Sequence, residues 1–204
     1  SNGICSLNAG TDRLAMSCMM TFDVNGNVLD HTITESVICV DERMSYTGVK
    51  AILEGQEHPE GKREDIRALC FLMKEAAAIL KEKRRKRGAI DFDFPESKII
   101  VDDKGYPIDI HPYERNVATD IIEDFMLLAN ETVAEDYFWQ EIPFLYRTHE
   151  TPDSDKIKKL DTFIHNFGYY MKTGRENFHP KEIQKLLFSL EGEPEEPLIS
   201  RLAL

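Results

Sequence analysis

Apolar and polar residues change rhythm several times along this chain, and each rhythm predicts an element. The longest helical rhythm runs through Arg115–Glu135, where Ala118, Ile121, Ile122, Phe125, Met126, Leu128, Ala129 and Val133 recur at steps of three and four. Asp120, Glu123, Asp124, Asn130 and Glu135 take the other side. So wide an apolar stripe predicts a deeply packed amphipathic helix, placed at 115–139 and roughly 30 Å long. A second helix is predicted over Glu64–Arg87, with Ile66, Leu69, Cys70, Met73, Ala77 and Leu80 as its stripe and Gly88 as its stop. Acids gather near its start (Glu60, Glu64, Asp65) and bases at its end (Lys81, Lys83–Arg87). That order complements the helix dipole, so the basic run has a structural explanation that is also compatible with an RNA contact.

Elsewhere the rhythm is two. Leu14, Met16, Cys18, Met20 and Phe22 alternate with Arg13, Ser17, Thr21 and Asp23, which predicts a strand with one buried face. Asn25-Gly26-Asn27 supplies a turn, and Val28–Val40 returns as a second strand, making a long antiparallel hairpin. Met44–Leu53 reads as a short helix capped by Thr47 and ended by Gly55, followed by a polar surface loop over Glu54–Lys62. Short extended pieces are predicted at Gly88–Pro95, Lys98–Val101, Tyr106–His111 and Phe144–His149. Thr151-Pro152-Asp153 opens a helix with a hydroxyl cap and Ile157, Leu160, Ile164 and Phe167 facing inward. Another helix starts at Pro180 with Ile183, Leu186, Leu187 and Leu190. After an acidic loop at Glu191–Glu196 the chain ends inside an apolar helix, Pro197–Leu204, as expected of an interior piece of a larger protein. The fold class is α+β: a hairpin-based antiparallel sheet packed on the two long helices, with smaller helices toward the C-terminus. Residues 1–204 are read as a single segment.

Composition narrows the function classes. Of 204 residues, 42% are hydrophobic and 30% charged, as in an ordinary globular protein, and no apolar run is long enough for a membrane span. A net charge of −12 argues against a free-standing nucleic-acid binder, because phosphate neutralisation needs basic surface. Cys5, Cys18, Cys39 and Cys70 form no C-x-x-C pair; Cys18 and Cys39 can face one another across the hairpin, but buried free thiols are the expectation. The six histidines fall at no metal-ligand spacing. Hydrolytic phosphodiesterases gather carboxylates around two divalent metals. The candidates are Asp91/Asp93 on one strand face, Asp102/Asp103 and Asp120/Glu123/Asp124. A solvated strand edge, a turn and the wet face of a helix account for them in turn, so no catalytic or metal-ligating residue is assigned.

Five stretches in one order carry a resemblance: NGICSLNAGTDRLAMSCMMTFDVNGNV, RMSYTGVKAIL, RGAIDFDFPESKIIVDDKG, RNVATDIIEDFMLLANETVAE and YRTHETPDSDKIKKL, with LISRLAL at the end. Together they resemble the interior of the catalytic domain of the RNase II/RNase R family of exoribonucleases. The resemblance implies a cytoplasmic, processive 3′-to-5′ exoribonuclease that threads single-stranded RNA and releases nucleoside monophosphates with Mg2+. It also implies that the Asp-rich metal cluster lies upstream of this stretch and a Ser-Pro-Ile-Arg-Arg segment downstream. Within RMSYTG, Tyr46 matches the tyrosine that meets the terminal nucleotide; Arg43, three residues earlier, can meet a phosphate or equally make a surface salt bridge. His149 is a family-like position with a structural reading. The competing expectation is a catalytically inactive RNA- or protein-binding adaptor of the same family. A homodimer through uncovered apolar surface is a further expectation, and no membrane partner is expected.

Overall fold

A computed structural model describes residues 3–90, 97–112, 115–148, 151–172 and 178–204. The expected strand over 88–95 lies largely outside them, as do Asp91, Asp93 and His149. Among the described residues the fold is α+β, with two two-stranded antiparallel sheets and six helices. The chain divides into two compact units, Ser1–Lys83 with Glu114–Tyr146, and Arg84–Tyr113 with Arg147–Leu204.

The first unit begins with a hairpin of β1 (Asp12–Phe22) and β2 (Val28–Cys39). Its turn is held by Asp23, which the alternation places on the polar side of the strand but which lies just past its end. The Asp23 carboxylate accepts from the Asn25 and Asn27 amides at 2.9 and 2.8 Å, while Gly26 takes φ 78°, where a side chain is strained. Those bonds hold the Asp23 carboxyl below its ordinary range, the Asn27 amide first among them. The predicted buried strand face is only partly covered. Cys18, Met20 and Phe22 are half-covered, whereas Leu14 and Met16 stand 89% and 66% exposed. The cause is that a two-stranded sheet is covered only where a helix reaches it. Here α3 (Val117–Trp139) touches the turn end, where His31 Nε2 lies 3.0 Å from Asp136 Oδ1. The register also separates the two hairpin cysteines: Cys18 pairs with Ile33 and Cys39 with Asp12. All four thiols are free, but only Cys70 is buried, against the expectation of buried thiols throughout.

Helix α1 (Tyr46–Leu53) is capped by Ser45 rather than Thr47, because Ser45 holds the extended backbone of a cap and its Oγ accepts the Gly48 amide at 3.0 Å. Gly55, at φ 75°, ends it as expected. Helix α2 spans Glu64–Arg87, as its pattern predicts. The core of this unit joins Ile52 and Leu53 of α1, Cys70 and Ala77 of α2, and Ile121 of α3. Leu69 is turned outward at 49% exposure, one position off the buried line. On α3 the buried line runs Ala118, Ile121, Asp124 and Thr132, so Asp124 is buried and Met126 exposed, the reverse of the expected wet and dry sides. Helix α1 packs against α3, and Ile121 joins the core between α1 and α2. Asn116 caps α3 in a reciprocal box with Thr119. Beyond α3, residues 142–148 form no strand; Phe144 instead packs tilted against Tyr137 and edge-on against Tyr146, with ring centroids 4.8 and 5.3 Å apart.

In the second unit, two of the expected extended pieces form β3 (Ser97–Val101) and β4 (Pro107–Pro112), which pair as a short antiparallel hairpin. Helices α4 (Ser154–His165), α5 (Pro180–Leu190) and α6 (Glu196–Ala203) build its core from Ile157, Leu160, Ile164, Ile183, Leu186, Leu190 and Ile199, joined by Met171 from the connection between α4 and α5. Phe167, placed on this face by its spacing, falls past the end of α4 and is part-exposed. The cap of α4 is Asp153, not Thr151: its Oδ1 accepts from Asp155 and Lys156 amides at 2.8 and 3.1 Å. No described helix is long and apolar enough to cross a membrane.

Candidate nucleic-acid interface

Tyr46 is the first residue of α1, and the far end of that helix is its anchor. Ala51, Ile52 and Leu53 are buried, with Ile52 wholly so. At the near end Gly48 is buried while Tyr46 is 46% exposed. An aromatic on the open end of a short, well-anchored helix is a rigid surface on which a base can stack. Arg43 precedes it by three residues and is exposed as well. The two residues singled out from the sequence therefore sit on one loop-and-helix junction, free of the core.

That junction is latched from the loop that follows α1. Glu60 Oε2 accepts the Ser45 amide at 2.8 Å, and the Ser45 hydroxyl donates to the same carboxylate at 2.9 Å. Glu42 Oε1 accepts the Gly61 amide at 3.1 Å, and Arg63 reaches Asp41 at 3.5 Å. The segment carrying Arg43 is thus tied down on both sides. The Ser45 amide is the main reason the Glu60 carboxyl titrates below its ordinary range; the Ser45 hydroxyl and His58 act in the same direction. Gly48 and Gly61 make the close approach feasible: a Cβ at Gly48 would overlap the Glu60 carboxylate, and one at Gly61 would overlap Ile52.

Sequence reasoning missed Glu60, Gly48 and the buried Asp124. The readable signal was the helix start itself: S-Y-T-G carries glycine at the third helical position, where a capping box would place an acid.

The basic run at the end of α2 is engaged within the first unit by its first two lysines. Lys81 Nζ lies 3.2 Å from Asp120 Oδ2, and Lys83 Nζ donates to the Gly26 carbonyl at 2.9 Å. Arg115 bridges Asp120 and Glu123 at 3.2 and 2.7 Å. These charges brace the turn and the two long helices. Among the described residues no group of three or more His, Cys, Asp or Glu side chains is placed to hold a metal ion. The described carboxylates therefore do not fit the metal the resemblance implies, and no chemical step is assigned to them.

Residues 1–204 match the family described as RNB domain, and the chain belongs to that family. Its curated relatives are named as ribonucleases R. "Ribonuclease R 1" of Lactococcus lactis is 39% identical over 204 residues, covering the whole of this chain and 25% of that protein. "Ribonuclease R" of Aquifex aeolicus is 41% identical over 201 residues, covering 98% of this chain and 28% of that protein. Among solved structures, Mycoplasma genitalium RNase R in complex with ribose-methylated single-stranded RNA aligns over the whole chain and 32% of its own, with a TM-score of 0.91 at 26% identity. The chain spans about a quarter of the length of these curated relatives.

Proposed function

We propose that this chain is part of the catalytic domain of a 3′-to-5′ exoribonuclease that hydrolyses single-stranded RNA to nucleoside monophosphates. The observation that carries the reading is the whole-chain match, in fold and sequence, to relatives named ribonuclease R. Those relatives favour an enzyme over the inactive adaptor. Within it, residues 1–204 supply wall and base-contact surface: Tyr46 stacks on the terminal nucleotide and Arg43 meets a phosphate. Mg2+ is the metal of the full-length enzyme, held by residues outside this stretch, and the enzyme works in the cytoplasm. Single-stranded RNA is its partner; the exposed apolar side chains Leu14, Met16 and Val37 support self-association of this chain taken alone.

The test compares full-length wild-type protein with Tyr46→Ala on a labelled single-stranded oligoribonucleotide. Loss of one stacked base corresponds to a roughly 5- to 150-fold weaker grip on the RNA end. Unchanged KM and unchanged rate in Tyr46→Ala would remove Tyr46 from the interface. The chain taken alone should leave the oligonucleotide intact.

A further inference from the structure

A helix starting Ser-x-x-Glu satisfies its own first amides. The serine oxygen accepts the third helical amide, and the glutamate reaches back to the serine amide. Helix α1 has the first half of that device, Ser45 Oγ to Gly48 N, but glycine occupies the third position. The second half comes from elsewhere: Glu60, fifteen residues from Ser45 along the chain, puts Oε2 2.8 Å from the Ser45 amide and Oε1 2.9 Å from its hydroxyl. The bare Cα of Gly48 is what leaves room, since a Cβ there would collide with the Glu60 carboxylate and come 3.1 Å from His58 Nδ1. The Glu60 amide itself donates to His58 Nδ1 at 3.2 Å, so the loop is folded around this contact.

We propose that Glu60 is a positioning residue for Tyr46: it completes the cap of α1 from across the loop and fixes the turn that presents the ring to the RNA end. The inference rests on Tyr46 being a nucleotide contact, as proposed above. Ser45 immediately precedes Tyr46, so the backbone that Glu60 holds is the backbone that aims the ring. Gly48 is the complementary half of the device, kept small so that Glu60 can enter.

The experiment uses the full-length protein and a labelled single-stranded oligoribonucleotide, reading KM and kcat separately, with melting temperature alongside. Glu60→Ala should raise KM about fivefold, the population shift that loss of a helix cap produces, with kcat at saturation little changed. Gly48→Ala should raise KM similarly while the melting temperature holds or rises, because alanine is the better helix residue yet evicts Glu60. Gly48→Glu combined with Glu60→Ala rebuilds the cap locally and should restore KM. In a Tyr46→Ala background Glu60→Ala should add nothing. The proposal is overturned if Glu60→Ala leaves KM unchanged while Tyr46→Ala raises it, if the two losses multiply, or if the rebuilt cap fails to restore KM in a protein that melts normally. A silent Tyr46→Ala variant rejects the nucleotide contact, and the Glu60 proposal with it; the other outcomes reject Glu60 alone.

Discussion

Ile164 is the sharpest probe of how the second unit holds together. It is 0% exposed, near the end of α4, in the cluster with Ile157, Leu160, Leu190 and Ile199. Replacing it with alanine removes three buried carbons, about 2.5 kcal/mol of transfer free energy at ~0.8 kcal/mol per carbon. Neighbours on three helices cannot all close the gap, so an unfilled cavity raises the expected loss to roughly 3–4 kcal/mol. Ile164→Val removes one carbon and should cost about 1 kcal/mol. Leu145 is 94% exposed, so Leu145→Ala should stay within about 0.5 kcal/mol of wild type. Urea unfolding followed by far-ultraviolet circular dichroism measures all three, read as midpoint shifts at unchanged slope. A loss under about 1 kcal/mol for Ile164→Ala, or a valine variant as damaged as the alanine one, would refute this placement of the core.

Three other outcomes follow from the caps and the charge distribution. Asn116→Ala removes the side chain that accepts the Ala118 and Thr119 amides of α3, and should cost about 1 kcal/mol in the same assay. The Glu60 carboxyl titrates below its ordinary value of 4.5 when folded, so its stabilisation is complete above that pH and is lost as pH falls through the lower folded value. The melting-temperature gap between wild type and Glu60→Gln should therefore be constant near neutrality and close on acidification; a gap that widens in acid contradicts the assignment. The unit carrying Tyr46 holds 21 acidic and 10 basic residues, so this chain alone should bind single-stranded RNA more weakly than about 100 µM at physiological salt. Fluorescence anisotropy with a labelled oligonucleotide checks this, and a dissociation constant near 1 µM would contradict it.

Elements with a strong period and a clear stop were readable from the residues alone. Helix α2 has the bounds its stripe and Gly88 predict, a long periodic signal with a clear stop. Caps were less readable. Thr47 and Thr151 were both plausible hydroxyl caps, yet Ser45 and Asp153 do the work, since a cap is decided by which residue leaves the helical backbone rather than by side-chain type alone. Burial was harder still. Leu14 and Met16 alternate as buried residues do, but alternation cannot say whether anything covers the face, and Asp124 is buried at a position whose charge predicts solvent. In the candidate site, Tyr46 was singled out through the resemblance and Arg43 by its nearness to Tyr46, and both are exposed; Glu60 was not singled out, since it lies fifteen residues from Ser45 along the chain.

The thiol distribution turns the hairpin into a reporter. Cys39, exposed at the end of β2 opposite Asp12, lies at the uncovered end of the sheet, whereas Cys70 is buried and its thiol is pushed up by that burial and by Glu42. With exposed Cys5 and half-covered Cys18 both replaced by serine, a maleimide dye would mark Cys39 while Cys70 stayed silent. Labelling speed would then show, without any substrate, whether this corner is shielded in the intact molecule.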